Sequence, residues 1–240
     1  MTPEECAAAV AAPVGQFGNV WMMEPTTFAM GGAHGFGIFD FYFCGRAGCV
    51  DGIDASTAHH AMGIFPVEVV ETNWEIGTAR MSLQETARLW WEACAEAGRR
   101  HLPDDAASAR IAELAARVAA AADATGKPIF AAWRDQPVPQ DAPAAAAFHL
   151  NSLRELRGAA HLNALEAEGI PALEALVYKS GPEFAMMFGH PAPLPEVTEE
   201  LQARWEVAEA ATNAEVAPAF AVLTEDEREE LVELLTTTLD

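Results

Sequence analysis

Apolar and polar positions alternate along most of this chain with the period of a helix. Leu83, Ala87, Trp90, Trp91 and Cys94 recur at steps near three and four behind Ser82 and Glu85. That spacing predicts a capped amphipathic helix running towards Gly98. An Ala-rich helix is predicted over 104–122, closed before Gly126 and Pro128. A long one is predicted over 144–168 and stopped by Gly169. Further helices follow from Pro171, over 199–216, and from Thr224, whose partner in a capping box is Glu227. At the other end, Thr2, Pro3 and Glu5 open a short helix with a turn within residues 1–20, and 21–30 reads as a second short helix or its entry.

Two stretches carry a mixed period. Over 35–47, Phe36, Phe39, Phe43 and Ala47 fit a helix, while Phe39, Phe41 and Phe43 also alternate as in a strand. Phe65, Val67, Val69 and Val70 fit either an extended segment or a helix starting at Pro66. A further helix start lies at Asp54 or Ser56. The interval 181–196 reads as a loop or small hairpin. The expected fold is mainly α, with little room for β structure. Pro137, Pro139 and Pro143 mark an irregular connection. It separates an N-terminal helical module (1–135) from a C-terminal one (144–240), which can still pack as one unit.

Composition narrows the function classes. The chain has 36 acidic residues against 14 basic ones, a formal charge of −22. Such a field opposes nucleic acid and anionic membranes, so neither is an expected partner. Residues 191–240 hold 13 acids and two bases, Arg204 and Arg228. No stretch resembles a membrane span or signal peptide, which makes the cytoplasm the expected location. Leu231, Leu234 and Leu235 offer the last helix an apolar face for its own core or for a homodimer.

Candidate chemistry concentrates in 31–75, where His34, His59, His60, Cys44, Cys49 and Arg46 stand among glycines and aromatics. Imidazole is the natural acid or base near neutral pH. Arg46 needs a partner in its apolar setting: Asp40, solvent or an anionic ligand. His149, Leu153, Arg157 and His161 share a helix face, and His161 with Arg157 makes a local pair able to hold a carboxylate or phenolate. His149 lies about 18 Å from His161 along the helix, too far to share a metal. Phe39, Phe43, Trp74 and Trp90, with several methionines, either line an adaptable apolar cavity or fill the core. No nucleotide-binding glycine fingerprint, P-loop, HExxH or GxSxG occurs. No cofactor is expected, although the histidines and cysteines leave a metal or haem open as an alternative.

The segment GIFDFYFCGRAGCVDG, then FPVEVVETNW, then FHLNSLRELRGAAHLNALEAEGIPALEALV resembles a family of actinobacterial proteins described as helix-turn-helix-like or winged-helix-like. The likeness rests on Phe43–Ala47 with Arg46, and on Arg154, Glu155, Arg157, Gly158 and His161. Leu156 stands where a histidine is usual. The resemblance implies helix-turn-helix modules with a wing at about 181–195, and DNA binding by analogy. Asn151, Arg154 and Arg157 are the nearest approach to base-reading side chains. From the residues themselves the leading expectation is a small, largely apolar ligand with a polar or acidic handle. His161, Arg157 and His34 are the candidates for cofactor-free catalysis, such as cyclisation or isomerisation in secondary metabolism. Arg46, Phe39, Phe43, His59, His60, Trp74 and Trp90 are the candidates for binding. Whether the chain is an enzyme stays open. The alternatives are a metal or haem protein and a helix-turn-helix regulator.

Overall fold

The computed structural model describes residues 1–239, and they are entirely helical and connecting segments, without a strand. The first five helices are α1 (Pro3–Met23), α2 (Pro25–Gly32), α3 (Ile38–Ala47), α4 (Ala55–Met62) and α5 (Val67–Thr78). Then follow α6 (Leu83–His101), α7 (Ala106–Ala121), α8 (Pro128–Arg134) and α9 (Ala142–Ala167). The last four are α10 (Ala172–Ser180), α11 (Pro182–Met187), α12 (Glu199–Phe220) and α13 (Glu225–Leu239).

Helix α9 is the centre of the molecule. It packs against α6, α7 and α12 most closely, and against α1 and α8. Its residues are apolar or small on nearly every side, the pattern of a helix covered all round. The α6–α9 crossing is close because its residues are small. A Cβ placed on Gly98 would lie 2.4 Å from the carbonyl oxygen of Pro143 and 2.7 Å from Cβ of Ala147. Gly98 therefore does not end α6, as its type suggests. It lies inside the helix and sets how near α9 can come.

Several boundaries differ from the sequence pattern for identifiable reasons. Helix α1 continues through Pro13, Gly15 and Gly18 to Met23. A mid-helix proline costs about 3 kcal/mol. Val10, Val14, Phe17 and Trp21 are all buried along one face, and each contributes about 1.5–3 kcal/mol. Burial outweighs the break. The mixed segment at 38–47 is helical because all of Asp40 to Ala47 is buried, so neither period describes it. The segment after Pro66 is α5, not a strand. Residues 181–196 form α11 and an irregular stretch, so the hairpin and the wing expected there are absent among the described residues.

The apolar interior has two parts. The main core runs through α1, α3, α6, α7 and the first half of α9, around Trp21, Trp90, Trp133 and Phe41. Trp21 and Trp90 are tilted at 4.9 Å between ring centroids, and Trp133 donates from Nε1 to the carbonyl of Phe148. A smaller core gathers Leu165, Ile170, Ala175, Leu201, Trp205 and Ala208 from the end of α9, α10 and the start of α12. Helices α9 and α12 run continuously from one core into the other.

Gly98→Ala should destabilise the fold by about 1–2 kcal/mol, because overpacking at 2.4 Å outweighs the ~1 kcal/mol propensity gain of alanine in a helix. Gly15→Ala, with nothing within 4 Å of its added Cβ, should instead stabilise. Urea unfolding midpoints of the two variants check the contrast.

Candidate functional site

A cleft of about 860 Å³ opens between the two cores, bordered by α1, α3, α9, α10 and α12. Arg46, Arg154, Arg157 and Lys179 all line it, and Glu209 is the one acid in its lining. The chain has only 14 bases against 36 acids, so the cleft inverts the sign of the molecule. Its apolar wall includes Val14, Met62, Leu165, Leu176 and Trp205.

The floor is a buried ion-pair network joining α3 to α9. Arg46 donates to both carboxylate oxygens of Glu155, from Nε at 2.9 Å and Nη2 at 2.8 Å. Its Nη1 donates to the Tyr42 hydroxyl at 2.7 Å. Arg154 adds a third bond to Glu155, 3.0 Å long. Burial opposes ionisation of Glu155, but the two guanidinium groups outweigh it and hold the carboxyl below its ordinary range. Arg46, also buried, is held above its ordinary value by Glu155 and Tyr42 in spite of its own desolvation. Its partner is thus Glu155. Asp40 faces Arg80 instead, at 3.5 Å.

Gly18 of α1 makes room for Arg154. A Cβ there would come within 2.2 Å of the arginine's Cδ, so the side chain lies pressed against α1 where any larger residue would displace it.

One turn further along α9, Arg157 bonds Glu209 and Asn213 of α12. Burial lowers the Arg157 guanidinium from its ordinary value, with Glu209 opposing the shift. His161 Nδ1 lies 3.0 Å from Oγ1 of Thr212 and 3.6 Å from Glu209. The carboxylate that Arg157 holds is therefore the protein's own Glu209. The Thr212 hydroxyl spends its only hydrogen on the carbonyl of Ala208, at 2.7 Å. It must accept from His161, so the imidazole proton sits on Nδ1 and Nε2 carries the lone pair. Burial holds His161 below its ordinary value, which keeps this neutral tautomer at neutral pH. Its ring stands against Trp205 at 4.9 Å, and Lys179 reaches over the same indole at 6.0 Å. Lys179 has no ion pair among the described residues.

The other candidates lie elsewhere. His34 is exposed in the turn after α2. His59 bonds the Phe65 carbonyl through Nε2, and His60 borders a separate hollow of about 90 Å³ against α8 and α9. Phe39 and Phe43 stack on each other beside Phe65. Trp74 and Trp90 are buried in the main core. His149 is held neutral, its imidazole pushed down to about 4 by burial. The structure brings Arg46, Arg157 and His161 to one cleft and leaves the remaining seven outside it. Lys179, Trp205 and Tyr42 also line the cleft, and the buried Thr212 supports His161 from behind. Lys179 carried a faint signal, being one of two lysines in the chain.

No group of three or more His, Cys, Asp or Glu converges on a metal position among the described residues. All four cysteines are free. Burial pushes Cys6 up to about 11 and Cys44 and Cys49 to about 12, which leaves them as neutral thiols. No described helix is long and apolar enough to cross a membrane.

Residues 7–192 match the Helix-turn-helix family, and the chain belongs to it. No curated protein and no solved structure matches the chain. Family membership corrects the expectation, drawn from net charge, that nucleic acid is not a partner. A helix-turn-helix fold is one that presents a helix to nucleic acid. Net charge averages over a surface whose local sign varies, and this cleft shows how far. Asn151, read from the sequence as a possible base-reading side chain, is fully buried with neither amide atom bonded, so it cannot reach a base from α9.

Glu155→Gln should cost about 3–5 kcal/mol by leaving Arg46 buried without its counter-charge. The depressed Glu155 group contributes stability fully above the ordinary carboxylate value, and that contribution is lost as pH falls through the lower folded-state value. The gap in unfolding free energy between native and variant protein should therefore be widest near neutrality and narrow on acidification, as followed by urea titration at several pH values.

Proposed function

We propose that this protein is a nucleic-acid-binding member of its family whose binding responds to a small, largely apolar molecule with an acidic handle, held in the basic cleft. The nucleic-acid half is supported by family membership across residues 7–192. The ligand half is carried by one observation, the gathering of Arg46, Arg154, Arg157 and Lys179 around an apolar cleft in a chain of charge −22. These four bases face two carboxylates, Glu155 and Glu209, so two positive charges are left over. Low-dielectric walls focus such a charge on an entering anion.

The coupling has a physical route. A molecule seated in the cleft touches Tyr42 and Met62 on the main-core side and Trp205 and Leu165 on the other. It would hold the α10 region in one position relative to α1 and α3, and any helix surface shared by both parts would feel the difference in affinity between the two positions. Binding is favoured over cofactor-free catalysis because Arg157 and Arg46 are already spent on the protein's own carboxylates, leaving little to stabilise charge developing in a reaction.

The test is selection of genomic duplex fragments by the purified full chain, followed by anisotropy titration of the enriched sequence at stepped salt, with native mass spectrometry of the same preparation. A sequence whose affinity falls steeply with salt supports the nucleic-acid half. A retained organic mass that Lys179→Met loses supports the ligand half. No enrichment over random fragments at low salt overturns the first, and unchanged retention in the variant overturns the second.

A further inference from the structure

We infer that the cleft selects an aromatic carboxylate that also carries a hydroxyl, with the carboxylate between Arg154 and Lys179 and the hydroxyl donating to Nε2 of His161. The inference rests on the cleft reading above and adds the chemistry of the ligand. Three features converge on it.

The cleft's uncommitted cations are two. Arg46 and Arg157 are each matched to a carboxylate, as described. Arg154 uses only Nη1 on Glu155, and Glu155 is already bonded twice by Arg46. Its remaining guanidinium N–H groups are available at the cleft wall, with the side chain fixed against Gly18. Lys179 stands over Trp205 without an acid partner among the described residues. A guanidinium from α9 and an ammonium from α10, both lining the one cleft, suit a carboxylate held between them.

The cleft also contains a directed acceptor. The Thr212 hydroxyl locks the His161 proton on Nδ1 and leaves the Nε2 lone pair without a hydrogen bond. A purely anionic ligand has nothing to donate to it. A ligand O–H satisfies it, and a site built around such an acceptor discriminates against analogues lacking the donor.

The third feature is the aromatic wall. Trp205 lies between His161 and Lys179 and touches both. Tyr42 of α3 and Met62 of α4 line the same cleft. A flat ring system placed against the indole spans from the cation side to the imidazole side.

The test uses calorimetric titration of the full chain with naphthoate and with its hydroxy and methoxy derivatives, the substituent placed in turn at each distal-ring position. At least one hydroxynaphthoate should bind about tenfold tighter than naphthoate, the size of one good hydrogen bond, and its methoxy counterpart should lose that advantage. His161→Asn, whose amide can still reach Thr212 but offers nothing at the Nε2 position, should bind hydroxynaphthoate and naphthoate alike. His161→Gln, which restores an acceptor there, should recover part of the preference. Lys179→Met should weaken all three ligands. Naphthoate binding that is lost in Lys179→Met without any hydroxyl preference would overturn this inference and leave the ligand half of the proposed function standing. A preference that survives His161→Asn also overturns it. Failure of every carboxylate to bind would overturn both.

Discussion

The bond between Arg46 and Glu155 is the constraint on which the functional half of this molecule depends. Both side chains are buried, with 8% and 3% of their surface exposed. Neither could be carried into the interior alone at reasonable cost. Pairing ties α3 to the middle of α9, and the bidentate geometry sets the register between them. Once Glu155 is fixed, its neighbour Arg154 is drawn to the same carboxylate and turned towards α1, where Gly18 receives it. One buried acid thereby orients two arginines, one serving as floor and one as wall of the cleft.

The division of the apolar interior explains why a cleft exists at this place. Small residues such as Gly98 and Ala147 allow α6 and α9 to approach closely. The second core is anchored by Trp205 and contains few large side chains besides it. Helices α9 and α12 connect the two, and the long polar residues that separate them (Arg157, His161, Glu209 and Lys179) hold the walls apart. Arg157 ties α9 to Glu209 and Asn213 of α12 across the end of the gap, and His161 is tied to Thr212 beside it.

Charge distribution is informative only when read locally. The acids crowd α13 and the start of α12, where several pair with Arg110, Arg117 and the N-terminal amine. Four of the few bases are withdrawn from that surface and concentrated about one gap. An average over the chain reports repulsion of every anion, while an anion at the cleft meets a surplus of positive charge. Family membership and net charge therefore point in different directions without physical conflict.

The helical architecture is legible in the sequence alone, because a period near 3.6 and side-chain caps such as Thr2, Ser82 and Thr224 are local properties. The sequence also singled out Arg46, Arg157 and His161, whose types demand partners wherever an apolar chain carries them. It could not show that Glu155 would answer Arg46 from 109 residues away, or that Thr212 would choose the tautomer of His161. Nor could it separate the aromatics of the core from the one that faces a cleft: Trp90 and Trp205 both stand in helices at ordinary spacing. Local rules also misplaced Gly98, which reads as a helix end and lies inside α6, and the turn expected within residues 1–20, where α1 runs on to Met23. Those outcomes were decided by tertiary structure. Burial energy outweighs a local break, and the pairing of buried charges depends on which helices meet, a property that sequence distance does not encode.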